Sequence, residues 1–169
     1  AATFAPTVHR AAAAITFLSP GLRFFHQGQR QGKRVRIPMH LGRGPAEPPE
    51  PAIGAFYDRL LACLRDPAFR DGHWQLLDVR PAWDGNGSND AFIAFSWTGP
   101  GDSLRLVVVN YAGHQSQCYV PLPWTDLVGR TWRLQDRLGE ARYERDGGDL
   151  AARGLYLDLP PWGYHAFDV

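Results

Sequence analysis

The sequence has no apolar stretch of the roughly 18 residues that a membrane-spanning helix needs, and nothing at its start reads as a secretory leader. Charge of either sign is not in excess: 18 Lys and Arg stand against 17 Asp and Glu, a formal net charge of +1. That balance argues against a dedicated nucleic-acid binder. Cysteine is scarce. The two present, Cys63 and Cys118, lie far apart and form no C-x-x-C pair. They read as buried free thiols rather than a disulfide framework, which makes a reducing, cytoplasmic setting the default expectation. The single Met is not at position 1, so the N-terminus is expected to be processed or trimmed.

What the chain does have is 18 Gly, 14 Pro and 6 Trp in 169 residues. Gly and Pro at that density mean many turns, which favours β architecture. Residues 8–18, "VHRAAAAITFL", are Ala-rich and predict a helix. Ser19-Pro20-Gly21 ends it, because proline disfavours helical geometry in the residue before it. Residues 22–26 then read as a short strand. Residues 28–52 form a Gly/Pro/Arg loop with Pro45, Pro48, Pro49 and Pro51. A second helix follows at 52–66, with an apolar stripe of Ile53, Phe56, Tyr57, Leu60, Leu61 and Leu64, and Pro67 closes it.

From residue 73 the period becomes strand-like. Eight strands are predicted: "HWQLLDVR", "AFIAFSW", "LRLVVVNY", "QCYVPL", "TWRLQD", "ARYERD", "LYLDL" and "GYHAFDV". "DGNGSND", "GPGD" and "RDGGD" read as hairpin-type connections between them. The near-continuous apolar run in "LRLVVVNY" predicts a central strand. The expected fold is mainly β: an antiparallel β-sandwich preceded by a helix–strand–loop–helix segment. One strand between two helices cannot satisfy its own backbone groups, so the N-terminal third reads as the last portion of a larger α/β sheet or barrel.

The order of these pieces resembles the end of an α-amylase family glycoside hydrolase. "LSPGLRFFHQGQ" is similar to that family's last barrel strand, a "PG.P..Y.G.E"-like motif. "AFYDRLLACLRDPAFRDGHWQLLDV" resembles its closing helix running into the first sandwich strand. "RLVVVNYAG" resembles its "LLVV.N.S" strand, and "LDLPPWGYHAFDV" its final "L.LPPYG..V" strand. The resemblance implies two regions: residues 1–70 as the C-terminal segment of a β/α barrel and residues 71–169 as the C-terminal β-sandwich. It implies a parent that acts on α-glucans by a retaining mechanism, with the rest of the barrel as partner. The family's third catalytic carboxylate sits in an Asn-His-Asp motif, and no His-Asp pair occurs in this chain. No catalytic residue is carried over, and this chain is expected to be a non-catalytic capping region. Gln29 stands where the family often has Glu.

His26, Gln27 and Arg30 are the candidate substrate-binding residues, because the mouth of a barrel lies at the C-terminal ends of its strands. In the chain alone they are expected merely to end a strand. Trp83 and Trp124, near loops, are the candidate sugar platform, while Trp74 and Trp132 read as core. The competing reading is an autonomous carbohydrate-binding sandwich; an unrelated scaffold without a ligand ranks last. No metal or other cofactor is expected: Asp84, Asn86, Ser88 and Asp90 alternate as calcium ligands do, but Asn89 and Phe95 replace the Gly and Glu of an EF-hand loop. Residues 28–34 lack the G-x-x-x-x-G-K-[ST] pattern of a phosphate loop. The basic cluster Arg30, Lys33, Arg34 and Arg36 reads as a solvated loop. Asp102, Asp126, Asp136, Glu140 and Asp149 read as solvated turn residues. Leu22, Phe24 and Phe25, without barrel neighbours, are expected to fold back, rearrange or drive self-association.

Overall fold

The computed structural model describes residues 4–35, 40 and 42–169. Nine strands follow the N-terminal helices: β1 (His73–Leu77), β2 (Arg80–Pro81), β3 (Phe92–Thr98), β4 (Leu104–Asn110), β5 (Ser116–Val120), β6 (Thr131–Asp136), β7 (Arg142–Asp146), β8 (Leu155–Leu159) and β9 (Tyr164–Asp168). They form a six-stranded sheet in the order β1-β3-β4-β9-β6-β7 and a three-stranded sheet in the order β2-β5-β8. Every pairing is antiparallel. The two sheets enclose one core, so the fold is an antiparallel β-sandwich, as expected.

β4 shows why the sequence folds this way. Leu106 and Val108 point into the core between the sheets, with Leu155, Leu157 and Phe167. Val107 and Val109 point to the opposite face, where helices α1 (Pro6–Leu18) and α2 (Pro51–Cys63) cover the large sheet. A strand buried on both faces needs an unbroken apolar run, and each such side chain stabilises by about 1.5–3 kcal/mol. β4 is central, between β3 and β9. The molecule therefore has three layers: helices, large sheet, small sheet.

The helices follow the predicted stripes. Proline begins each, at the position whose N–H would be unpaired anyway. Ile53, Phe56, Tyr57 and Leu60 of α2 are buried against α1 and the sheet. The Trp97 indole donates to the Leu18 carbonyl at 2.8 Å, satisfying one open end of α1.

Several expectations need correction. α2 ends at Cys63, three residues early, because Asp66 is drawn elsewhere. Its carboxylate accepts the Ala68 N–H at 2.9 Å, opening the one-turn helix α3 (Ala68–Asp71), and pairs with Arg105 at 2.8 Å and Arg137 at 2.6 Å. "HWQLLDVR" is not one strand: Asp78 and Val79 separate β1, in the large sheet, from β2, in the small one. "RDGGD" is not a hairpin turn but the start of helix α4 (Gly147–Arg153), capped by the Asp146 carboxylate on the N–H groups of Gly148 and Asp149. "DGNGSND" contains a 3-10 turn at Gly87–Ala91. Residues 22–26 form no ladder: no strand among the described residues lies beside them.

Candidate functional site

Residues 22–26 alternate, although they do not pair. Arg23 and Phe25 turn inward. The Arg23 guanidinium donates to the carbonyls of Phe17, at 2.7 Å, and Phe69. Phe25 stacks on Phe17, with centroids 4.1 Å apart, and meets Tyr57 edge-on. Leu22 and Phe24 turn outward, 95% and 73% exposed. One face of the segment is thus clamped to α1, α2 and α3, and the other presents apolar side chains to water.

The segment runs into a compact turn that carries all three predicted rim residues. Backbone bonds run from Gln29 to His26, from Gly32 to Gln29 and from Lys33 to Gly28, each 3.0 Å. His26 is exposed, and its Nδ1 lies 3.0 Å from the Gln27 carbonyl, inside the same turn. Arg30 pairs with Asp58 of α2 in an exposed ion pair. Gln27 is exposed. The turn brings His26, Gln27 and Arg30 together at one place, all three exposed.

Beneath the turn lies a hydrogen-bonded set, Gln29, Tyr57 and His9, that sequence reasoning did not connect. Gln29 reaches inward and its Nε2 donates to Tyr57 Oη at 2.7 Å. Tyr57 Oη lies 2.7 Å from His9 Nε2 on α1. Tyr57 is fully buried. Burial pushes its phenol above the usual value, with the Gln29 hydrogen bond opposing. Burial, then the positive charges of the amino terminus and Arg10, hold His9 below its usual value. Tyr57 was legible only as a member of the apolar stripe; its hydroxyl carried no sequence signal.

The other candidates fall at separate places. Trp83 follows β2 and is 57% exposed. Trp124 is half-buried against the core between the sheets. Among the described residues no ring contact joins them. Trp74 and Trp132 pack partly buried against the two cores, and Arg130 covers the Trp132 ring at 3.7 Å. The alternating acidic loop is committed to the fold: Asn86 accepts the Ser88 N–H at 2.8 Å, and Ser88 Oγ accepts the Gln117 N–H at 2.9 Å. Among the described residues no cluster of His, Cys, Asp and Glu has the spacing to hold a metal. An open groove of about 320 Å³ beside β1 and β3 holds Asp78 and Asp90 but none of the predicted rim residues.

Of the basic cluster, Arg30 is paired, and the Glu47 carboxylate accepts the backbone N–H groups of Arg34 and Val35, which hold it below the usual carboxylate range. Arg36 lies outside the described residues. Asp136 corrects its reading as a solvated turn residue. It is buried, its Oδ1 accepts the N–H groups of Leu138 and Ala166 at 3.0 Å, and its Oδ2 pairs with His165 Nδ1 at 2.8 Å. These bonds lock the β6–β7 connection onto β9. Both cysteines are buried free thiols, as expected; burial pushes Cys63 up to about 11 and Cys118 up to about 12.

No protein-family model and no curated protein matches the sequence. Solved structures do. The crystal structure of a maltogenic alpha-amylase, AmyB, from Thermotoga neapolitana is similar over 98% of this chain, with a TM-score of 0.74 and 12% sequence identity. The chain spans 37% of that protein's length. At that identity the likeness establishes the fold: this chain folds like part of a maltogenic alpha-amylase, helices and sandwich together.

Proposed function

We propose that this chain is the C-terminal part of an α-amylase-like enzyme that acts on α-glucans by a retaining mechanism. Residues 1–70 supply the end of its β/α barrel and residues 71–169 its C-terminal sandwich. The part itself is a structural cap without catalytic carboxylates. The observation that carries this reading is the segment at 22–26: strand-like alternation, no ladder partner among the described residues, and Leu22 and Phe24 facing water. A segment clamped on one face and apolar on the other suits the last strand of a sheet whose neighbours come from elsewhere. The structural likeness to an alpha-amylase over nearly the whole chain supports the same reading.

In that setting the barrel's remainder is the partner that covers Leu22 and Phe24, and the turn bearing His26, Gln27 and Arg30 sits at the sugar site's rim. A polypeptide extended upstream through the barrel is expected to cleave maltoheptaose with the first product in the α-anomeric form, read by proton NMR. This chain alone is expected to release nothing. Inversion in the longer polypeptide, or turnover by this chain alone, would overturn the proposal. Exposed Trp83 favours one second reading, an autonomous glucan-binding sandwich. Retention on insoluble starch that is lost in Trp83→Ala would support it.

A further inference from the structure

We propose that Gln29 is a positioning residue: its neutral amide sets the direction of a hydrogen-bond chain, Gln29–Tyr57–His9, that anchors the turn carrying His26, Gln27 and Arg30. The argument begins at a group that cannot reverse. The His26 backbone N–H only donates, and it meets Gln29 Oε1 at 3.0 Å. The oxygen of the amide therefore faces His26, and the NH2 faces Tyr57 at 2.7 Å. Turned the other way, two donors would oppose each other at His26.

That assignment passes to the tyrosine. Tyr57 Oη accepts from Gln29, so its own proton needs a different acceptor. Tyr57 has no exposure to water, and leaving a buried donor unmet is destabilising. His9 Nε2 lies 2.7 Å away. Nε2 therefore accepts, and neutral His9 carries its proton on Nδ1. The groups facing His9 fit a neutral ring. Its own helix brings Arg10, α2 brings the Tyr57 phenol, and the turn brings only an amide, the Arg30 charge being paired with Asp58.

A glutamate at position 29 would reverse the chain. A carboxylate has no proton to give, so the Tyr57 hydroxyl would turn to it and His9 Nε2 would become the donor. It would also place a charge against a buried phenol beside Phe25 and Phe17. The amide holds the turn at both ends without charge: Oε1 to His26 and Nε2 to α2, while the Gln29 backbone bonds His26 and Gly32. The bond directions stand independently of the proposed function; only the turn's place at a sugar rim rests on that reading.

Long-range 15N–1H NMR of the histidine rings tests this on the chain itself. Above the His9 titration the wild type is expected to show the Nδ1–H tautomer. Gln29→Glu is expected to switch it to Nε2–H and to raise the His9 titration midpoint. Tyr57→Phe keeps the ring and removes the oxygen; it is expected to speed exchange at the Gly32 and Lys33 amides about tenfold. An Nε2–H tautomer in the wild type would overturn the proposal even if the glutamate variant failed to fold. So would unchanged turn exchange in Tyr57→Phe. No measurement here depends on glucan cleavage, so failure of the proposed function leaves these outcomes intact.

Discussion

Asp66 shows how much one carboxylate holds. It caps α3, pairs with Arg105 of β4 and pairs with Arg137 after β6, while Asp168 of β9 joins both arginines at 2.8 and 3.3 Å. Burial raises its pKa, but the Ala68 N–H and the two arginines outweigh that, and the net shift is downward. Removing one partner of a largely buried ion pair costs about 3–5 kcal/mol, and partial exposure of the arginines reduces this to about 2–3. Asp66→Asn is expected to lose that amount in urea denaturation at pH 7. Because the folded pKa is depressed, the contribution is present above the unfolded value, near 4, and is lost as pH falls through the folded one. The difference between wild type and variant should therefore shrink in acid; a constant difference down to pH 2 would contradict the ion-pair account. The two thiols make a second residue-scale prediction. Both are buried with raised pKa values, so a thiolate-specific reagent is expected to label them only at the rate of unfolding. Fast labelling in native buffer would contradict the packing described. Residue roles were only partly legible in the sequence. His26, Gln27 and Arg30 do share one turn, because they are close in the chain. Asp136 was misread, and the role of the Tyr57 hydroxyl went unseen, because their partners, His165 and His9, lie 29 and 48 residues away. Local pattern carries no trace of such pairings.

At the scale of elements, the strands were legible because their periodicity reports their burial. β6 and β8 lie where alternation put them, and β4 is the doubly buried strand that its apolar run implied. The failures lie where a side chain answers to a distant group. The β1–β2 split follows from the change of sheet at Asp78-Val79, which no local pattern marks. α4 was hidden because two glycines read as a turn, whereas Asp146 caps them into a helix. Asp146→Ala is expected to cost about 1 kcal/mol by thermal denaturation. Gly147→Ala should cost far more: an added Cβ would fall 1.7 Å from the Leu127 carbonyl oxygen, inside any contact distance. If the two variants were equally stable, that close approach would not exist in the molecule. The segment at 22–26 kept its strand-like alternation and not its pairing, because alternation belongs to the segment and a ladder needs a neighbour.

The whole molecule is a three-layer sandwich whose large sheet is covered on one side by a second sheet and on the other by α1 and α2. α1 carries no acidic residue in its first turn and no basic residue in its last. Its outer residues Val8 and Ala12 are only half-buried. With Leu22 and Phe24 they leave the N-terminal side more apolar than a solvated surface needs. Light scattering of the isolated chain is expected to show concentration-dependent association, abolished in the Leu22→Ser/Phe24→Ser double variant; a wild type that stays monomeric at all concentrations would contradict it. Amide hydrogen exchange at residues 22–25 tests the central claim most directly, measured in this chain and in a polypeptide extended upstream. The account predicts fast exchange in the chain alone, because no ladder holds those amides, and slowing by at least about a hundredfold in the longer polypeptide, where neighbouring strands would pair them. Equally fast exchange in a folded, extended polypeptide would mean that the segment is not a strand awaiting neighbours, and the account would be wrong.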